Sequence, residues 1–188
     1  MRNFFKLAEN IHVGPLLHDV QTNYALWSTQ TLRQTFERSP HADVEDIWLR
    51  FNAAASLETC GDDLECVDYP AFAALPSARP LVFNLMRHVE ADRLGRVMIT
   101  KLAPGKTIAR HRDVLGEYAL YYTRYHVVLQ GLPGALFHCG DETVTMQTGE
   151  AYWFNAHKDH EVVNNSSDDR VHLIIDLRRG PPREALLS

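Results

Sequence analysis

Residues 124–155 read RYHVVLQGLPGALFHCGDETVTMQTGEAYWFN, four short apolar runs broken by GLPG, CGDE and QTGE. The runs are rich in Val, Tyr, Phe and Trp, side chains that pack well on a pleated surface. The breaks carry Gly, Pro and Asp, which supply the backbone angles and local hydrogen bonds of tight turns. No run is long enough for an ordinary helix, so the segment reads as strands joined by turns.

The same texture extends outward in both directions. Upstream lie RVMITKL (96–102) and TIARH (107–111), separated by APGK. Downstream lie HEVVNN (160–165) and RVHLIIDLR (170–178), with NNSSDD between them. Together with RYHVVLQ (124–130), ALFHCG (135–140), ETVTM (142–146) and EAYWFN (150–155), these make eight strands at about ten-residue spacing. That spacing argues for an antiparallel sandwich or barrel.

The preceding ninety-five residues mix signals. VGPLLHDVQTNYALW (13–27) spaces Leu16, Leu17, Val20, Tyr24 and Trp27 at helical intervals, with Pro15 in the first turn. VEDIWLRFN (44–52) alternates Val44, Asp46, Trp48 and Arg50 against Ile47, Leu49 and Phe51, as a strand with one face in the core does. SARPLVFNLMRHVEADRLG (77–95) carries a helical stripe of Leu81, Val82, Leu85, Met86 and Val89, with Gly95 as its expected stop. Helices before strands, rather than alternating with them, speak against a parallel doubly wound sheet. The expectation is one α+β domain over 1–188. Residues 96–178 form a double-stranded β-helix, a cupin-like jelly-roll barrel, with N-terminal and flanking helices, and 1–95 supply support and substrate-side elements.

Composition bounds the function. Of 188 residues, 45% are hydrophobic and 23% charged, ordinary for a globular chain. A net charge of -5 gives no basic footprint, so no nucleic-acid partner is expected. The late basic cluster DLRRGPPR (176–183) reads as a solvated tail. Cys60, Cys66 and Cys139 form neither a C-x-x-C pair nor a zinc ribbon, and the odd count suits a reducing compartment. MRNFFKLAEN has no signal-peptide core, and no run reaches the roughly 20 apolar residues of a membrane helix. A soluble, cytoplasmic protein without a membrane partner is expected. No feature declares its oligomeric state.

The chemistry gathers at His111, Asp113 and His160. Residues i and i+2 of a strand face one side, so His111 and Asp113 can converge, and a histidine from a distant strand can complete a triangle. Two imidazoles and one carboxylate on one side of an ion leave its other positions open. That is the donor set of non-haem Fe(II) oxygenases. His157, three residues before His160, and His138 are the alternatives to weigh. His172 is expected to be structural.

Four stretches carry a resemblance to the aspartyl/asparaginyl β-hydroxylase family of Fe(II)- and 2-oxoglutarate-dependent oxygenases, over roughly residues 96–178. TKLAPGKTIARH is similar to the family's strand, Pro-Gly turn and first iron histidine, with Thr100 eleven positions earlier. RYH (124–126) resembles the Arg-x-His that holds 2-oxoglutarate. GEAYWFNAHKDHEV resembles the strand leading to the second histidine. HEVVNNSSDDR sets Arg170 ten positions after His160, the family's interval for the arginine that grips the far carboxylate. The resemblance implies Fe(II) on His111, Asp113 and His160, and 2-oxoglutarate held by Arg170, Arg124, His126 and Thr100. It also implies O2 as the oxidant and hydroxylation of an unactivated C–H bond, with succinate and CO2 released. Physically, a buried arginine opening an apolar strand needs an anion, and its planar fork suits a carboxylate.

Some members of that family bind iron through two histidines alone. This sequence keeps Asp113, as members acting on free amino acids such as proline do, which tilts the expected substrate away from folded protein domains. The expected substrate is an amino acid or a peptide or protein side chain. Asp46, Trp48 and Arg50 on one strand face, Arg112 and Trp153 are its candidate contacts, and the acidic segment 61–69 is a candidate lid or plain surface loop. Two other readings compete. A cupin-type metalloenzyme, whether an isomerase or an oxygenase without 2-oxoglutarate, has no need of Arg170. A non-enzymatic binding module with a structural metal is expected to close its coordination, which three donors do not do.

Overall fold

The computed structural model describes residues 2–53, 61–62, 64–113 and 116–179. Among them run strands β1 (Phe4–Ala8), β2 (Val44–Phe51), β3 (Val67–Asp68), β4 (Ala91–Leu102), β5 (Thr107–His111), β6 (Thr123–Gln130) and β7 (Ala135–Cys139). Strands β8 (Glu142–Val144), β9 (Ala151–Phe154), β10 (His160–Asn164) and β11 (Arg170–Arg179) follow. The helices are α1 (Gly14–Thr22), α2 (Leu32–Thr35), α3 (Pro70–Ala74), α4 (Ala78–His88) and α5 (Gly116–Tyr121).

The strands form two antiparallel sheets. The larger has the order β1-β9-β6-β11-β4-β2-β3 and the smaller β5-β10-β7-β8. This is the jelly-roll expected from the spacing of runs and turns, and all eight expected strands are present. The turn at Gly134 shows why glycine stands there: φ is +101°, and an added Cβ would lie 2.9 Å from the Asn165 carbonyl oxygen.

Alternation in the large sheet sorts two interiors. In β11, Val171, Leu173, Ile175 and Leu177 join a core with Leu16 and Val20 of α1 and Val82 and Leu85 of α4. Their alternates, Arg170, His172 and Asp176, are equally buried but face the other way. Strand β6 repeats the pattern, with Tyr125, Val127 and Leu129 in the helix-side core and Arg124, His126 and Val128 on the opposite face. Between the sheets, Val128, Phe137, Phe154, Ile108 and Val162 pack together. The barrel interior is therefore apolar at one end and polar at the other. A buried polar face is expensive unless its groups find partners.

The structure corrects several expectations. The helix of 77–95 ends at His88, where Glu90 takes a left-handed φ of 55°, and residues 91–95 already belong to β4. Gly95 is not a helix stop but the floor under two tyrosines: a Cβ there would meet Tyr118 Oη at 2.6 Å and the Tyr122 ring at 2.8 Å. Strand β2 has no solvated face, since Asp46 and Trp48 are as buried as Ile47 and Leu49. The helix of 13–27 stops at Thr22 and gives way to a 3-10 turn, Tyr24–Leu26. Strands β1 and β3 and helix α5 were not expected, β3 lying in the segment 61–69. The basic tail begins inside β11, where Asp176 is buried. Residues 180–183 and Cys60 lie outside the described residues.

Candidate active site

Strands β5 and β10 pair so that His111 and His160 stand directly opposite each other, with ring centroids 4.2 Å apart. Asp113 lies just past the end of β5, where its backbone N–H donates to the Ala156 carbonyl at 2.9 Å. That bond turns its carboxylate back toward the rings, with Oδ1 3.5 Å from His111 Nε2 and 4.0 Å from His160 Nε2. One ligand atom from each of the three lies within 4.8 Å of the others.

The outer nitrogens settle what the inner ones offer. His111 Nδ1 is 2.7 Å from the Ala109 carbonyl and His160 Nδ1 is 2.9 Å from that of Lys158. A carbonyl only accepts, so both Nδ1 atoms carry the proton and both Nε2 lone pairs face Asp113. Burial lowers the His160 pKa below the ordinary histidine range despite the carboxylate beside it, which keeps that lone pair free. Burial works against the Asp113 anion, but the Arg124 guanidinium outweighs it and holds its pKa well below normal. The donor set is ready for a cation.

Arg124 is committed to carboxylates. Its Nη1 donates to Asp113 Oδ2 at 2.8 Å, while Nε and Nη2 reach the two oxygens of Asp176 at 2.8 and 2.9 Å. Tyr118 Oη in turn donates to Asp176 at 3.2 Å. Arg124 thus lines the cleft beside His111, Asp113 and His160, with its N–H groups turned to Asp113 and Asp176.

Arg170 is the opposite case. It is 3% exposed, and among the described residues it has no carboxylate partner. Its contacts are His172 Nδ1, 3.2 Å from Nη2, and the Phe137 ring, whose centroid is 5.7 Å from the guanidinium carbon. Burial alone pulls its pKa down to about 9, so it remains a cation at neutral pH with its charge uncompensated. Among the described residues, Thr100 Oγ1 and His126 Nε2 are buried without hydrogen-bond partners. All three residues line one cleft with His111, Asp113 and His160. A buried cation and orphaned polar atoms beside a set of open lone pairs are what an acidic ligand of the metal would satisfy.

Five residues expected on the substrate side fare unevenly. Asp46 and Trp48 stand behind the cleft wall: Asp46 Oδ2 accepts from Arg33 Nη1 at 2.7 Å, and Trp48 packs with Ile174. Both Arg33 and Ile174 line the cleft. Arg50 pairs with Asp68 at 2.7 Å, beyond a register shift in β2. Arg112 forms a two-pronged exposed pair with Asp159 at 2.6 and 3.0 Å. Trp153 packs on the helix-side core. None of these last three lines the cleft. His157 is exposed and outside the donor cluster, and His138 binds Thr143 Oγ1 at 2.7 Å on the outside of β7.

Arg33 and His41 were missed. The Pro40 carbonyl accepts the Ala109 N–H at 2.9 Å, which lays residue 41 along β5 and sets its ring edge-on to His111, centroids 4.9 Å apart. Burial drives the His41 pKa well below normal, and its Nδ1 has no partner. The sequence around them, TLRQTFERSPHADV, has no periodicity to mark either residue.

The profile of the aspartyl/asparaginyl β-hydroxylase family matches residues 20–180. The chain belongs to that family. It is an oxygenase of the hydroxylase type, and the match extends the sequence resemblance upstream to include β2 and helices α2, α3 and α4. A search of curated protein sequences finds no match. Among solved structures, the chain is similar to a Trichoplax adhaerens prolyl hydroxylase in complex with a hypoxia inducible factor peptide fragment. Identity there is 13% and the TM-score 0.62, over 99% of this chain and 87% of that one. The epimerase SnoN in complex with Fe3+, alpha ketoglutarate and nogalamycin RO aligns at 13% identity and a TM-score of 0.61, covering 94% and 79%. A Pseudomonas putida prolyl-4-hydroxylase aligns at 12% and 0.53, covering 96% and 95%. At these identities the likeness speaks for the fold. No described helix is long and apolar enough to cross a membrane.

Proposed function

We propose that this hydroxylase binds Fe(II) on His111, Asp113 and His160 and takes 2-oxoglutarate as cosubstrate, with Arg170 as the clamp for its distal carboxylate. One observation carries the reading. Arg170 is a fully buried guanidinium with no anion among the described residues, lining the same cleft as three converging metal donors. A cation left so is costly, and a dicarboxylate reaching from the metal to the fork removes the cost at both ends.

Within this reading the residues divide the work. His111 and His160 present Nε2, fixed by their backbone carbonyls. Asp113 supplies one oxygen while Arg124 holds the other. Thr100 and His126 offer polar atoms beside the clamp, and Phe137 and Phe154 keep that end of the cleft dry, which strengthens each charged contact. When bound, iron with its cosubstrate supplies the O2 chemistry that turns a C–H bond into C–OH; the protein supplies placement and exclusion of water.

The primary substrate we assign is an amino acid, free or within a peptide. Arg33, His41 and Ile174 line the cleft beyond the metal donors, and Asp46 and Trp48 support them from behind. Two buried free thiols, Cys66 and Cys139, fit a cytoplasmic setting. The test is anaerobic addition of 2-oxoglutarate to the ferrous protein. Chelation gives a visible charge-transfer band, and no band at saturating cosubstrate rejects the reading. Amino acids and peptides are then screened for stimulated succinate release.

A further inference from the structure

We propose that His172 is a positioning residue for the cosubstrate end of the cleft: its Nδ1 is the shared acceptor that aims the Arg170 guanidinium and fixes the proton of His126. This rests on the reading of Arg170 as the cosubstrate clamp. It gives a task to a residue whose sequence context suggested only structure.

Two contacts meet at one atom. His172 Nδ1 lies 3.2 Å from Arg170 Nη2 and 3.1 Å from His126 Nδ1. A guanidinium has N–H donors and nothing to accept with, so the lone pair at the first contact belongs to His172. His172 is wholly buried, and burial with the neighbouring cation keeps its ring neutral. A neutral ring that accepts at Nδ1 carries its proton on Nε2. The second contact then has no hydrogen to take from His172, so His126 donates from its own Nδ1. One acceptor sets the proton positions of two histidines.

The consequence reaches the cleft through others. His172 does not line it, whereas Arg170 and His126 do. With no carboxylate to orient it, the Arg170 fork is held only by His172 and the Phe137 ring among the described residues. An unheld fork stays charged but loses its aim, and binding then costs the ordering that the folded protein would otherwise have supplied. Directly across the β4–β11 register from His172 stands Thr100, whose Oγ1 is also unpartnered. The acceptor therefore sits at the centre of the polar face.

Two measurements decide the matter. Nitrogen-15 NMR of histidine-labelled protein without metal should show His172 protonated at Nε2 and His126 at Nδ1. A proton on His172 Nδ1 overturns the proposal outright, whatever the variants do. Anaerobic 2-oxoglutarate titration of the ferrous protein should show His172→Phe weakened by about tenfold or more, the scale of a lost hydrogen bond to a charged group. Its iron content should be unchanged. His172→Gln, which returns an acceptor oxygen, should recover most of the loss. A Phe variant that binds as wild type does, or a Gln variant as impaired as Phe, removes the acceptor role. If the Phe variant fails to fold, the Gln variant and the NMR result decide. Wild-type protein that shows no 2-oxoglutarate binding overturns the cosubstrate assignment itself.

Discussion

Arg124 holds one oxygen of Asp113 at 2.8 Å and leaves the other facing two imidazoles, 3.5 Å from His111 Nε2 and 4.0 Å from His160 Nε2. The same guanidinium neutralises Asp176. Arg124→Ala strands two carboxylates in a buried setting, and breaking a buried pair costs about 3–5 kcal/mol. The variant should lose much of its stability to urea and bind iron weakly. Arg124→Lys should restore part of the stability, since it keeps the charge without the fork. An Ala variant as stable as wild type would show that Asp176 finds compensation elsewhere.

Removing either imidazole tests the metal donors. His111→Ala and His160→Ala should each abolish stoichiometric iron, because three protein donors are few to lose one from. Asp113→Ala should retain weak iron with poor coupling of succinate to product, and Asp113→Glu should also fail, its carboxylate carried out of place by one methylene. His157→Ala should load normally. Iron stoichiometry after desalting reads all five, and normal loading of His111→Ala or His160→Ala contradicts the assignment.

Arg170→Ala separates this site from other metal-binding barrels. The apparent affinity for 2-oxoglutarate should fall roughly 150- to 5,000-fold, the equivalent of the about 3–5 kcal/mol lost with one partner of a buried charge pair. Iron content should not change. A monocarboxylic 2-oxo acid should lose much of its disadvantage in this variant. The 2-oxoglutarate dependence of succinate formation is the measurement, and saturation as in wild type would leave a metal site without a clamp.

The metal-free protein should become less stable as pH falls from about 7 toward 5. His41, His126, His160 and His172 are held neutral in the fold, their pKa values pushed down chiefly by burial. In the unfolded chain each takes up a proton near its ordinary value of about 6.5, so the unfolded state binds more protons below that pH. Their contribution is complete above about 6.5 and is lost below it, at up to about 1.4 kcal/mol per pH unit for each histidine. Asp113, with its depressed pKa, keeps its contribution until the pH falls through the carboxylate range. Urea melts at pH 7.5, 6.5 and 5.5 should show falling midpoints, and a flat series would mean that these rings are charged in the fold.

Gly95→Ala should destabilise the fold by about 1–3 kcal/mol, the usual range for overpacking. The new methyl group would push on Tyr118 and Tyr122. Tyr118 Oη also receives the Arg96 backbone N–H at 2.7 Å and holds Asp176. Thermal melts give the stability, and a raised iron dissociation constant would show the strain reaching Asp113 through Asp176 and Arg124.

The barrel was legible because turn chemistry recurs at even spacing and β11 advertises itself as a buried strand. The convergence of His111, Asp113 and His160 was legible because His111 and Asp113 lie two apart in sequence and His160 opens a strand. The role of Arg124 was not, since its link to Asp176 spans 52 residues and depends on strands β6 and β11 being adjacent. Arg33 and His41 lie in irregular backbone placed by the Pro40–Ala109 hydrogen bond, which no local pattern encodes. Asp46 misled for a different reason. A polar residue in an alternating strand reads as solvated, but here the polar face is turned inward, and only the opposing sheet shows that. Gly95 misled by lying just where a helix stop belongs, while Glu90 took the left-handed turn instead.

Strand β11 is the last described in the chain yet lies mid-sheet, between β4 and β6. It carries Arg170, His172 and Asp176 on one face, so the proposed clamp, its proposed acceptor and the counter-ion for Arg124 arrive together. During synthesis the ribosome releases His111, Asp113 and His160 before this strand can dock. A nascent chain thus exposes the three candidate metal donors without the residues proposed to organise them, and a slip of one position in β11 would turn Arg170, His172 and Asp176 into the helix-side core. On that assignment, a protein that holds β11 out of register keeps the three donors but loses the face proposed to organise them.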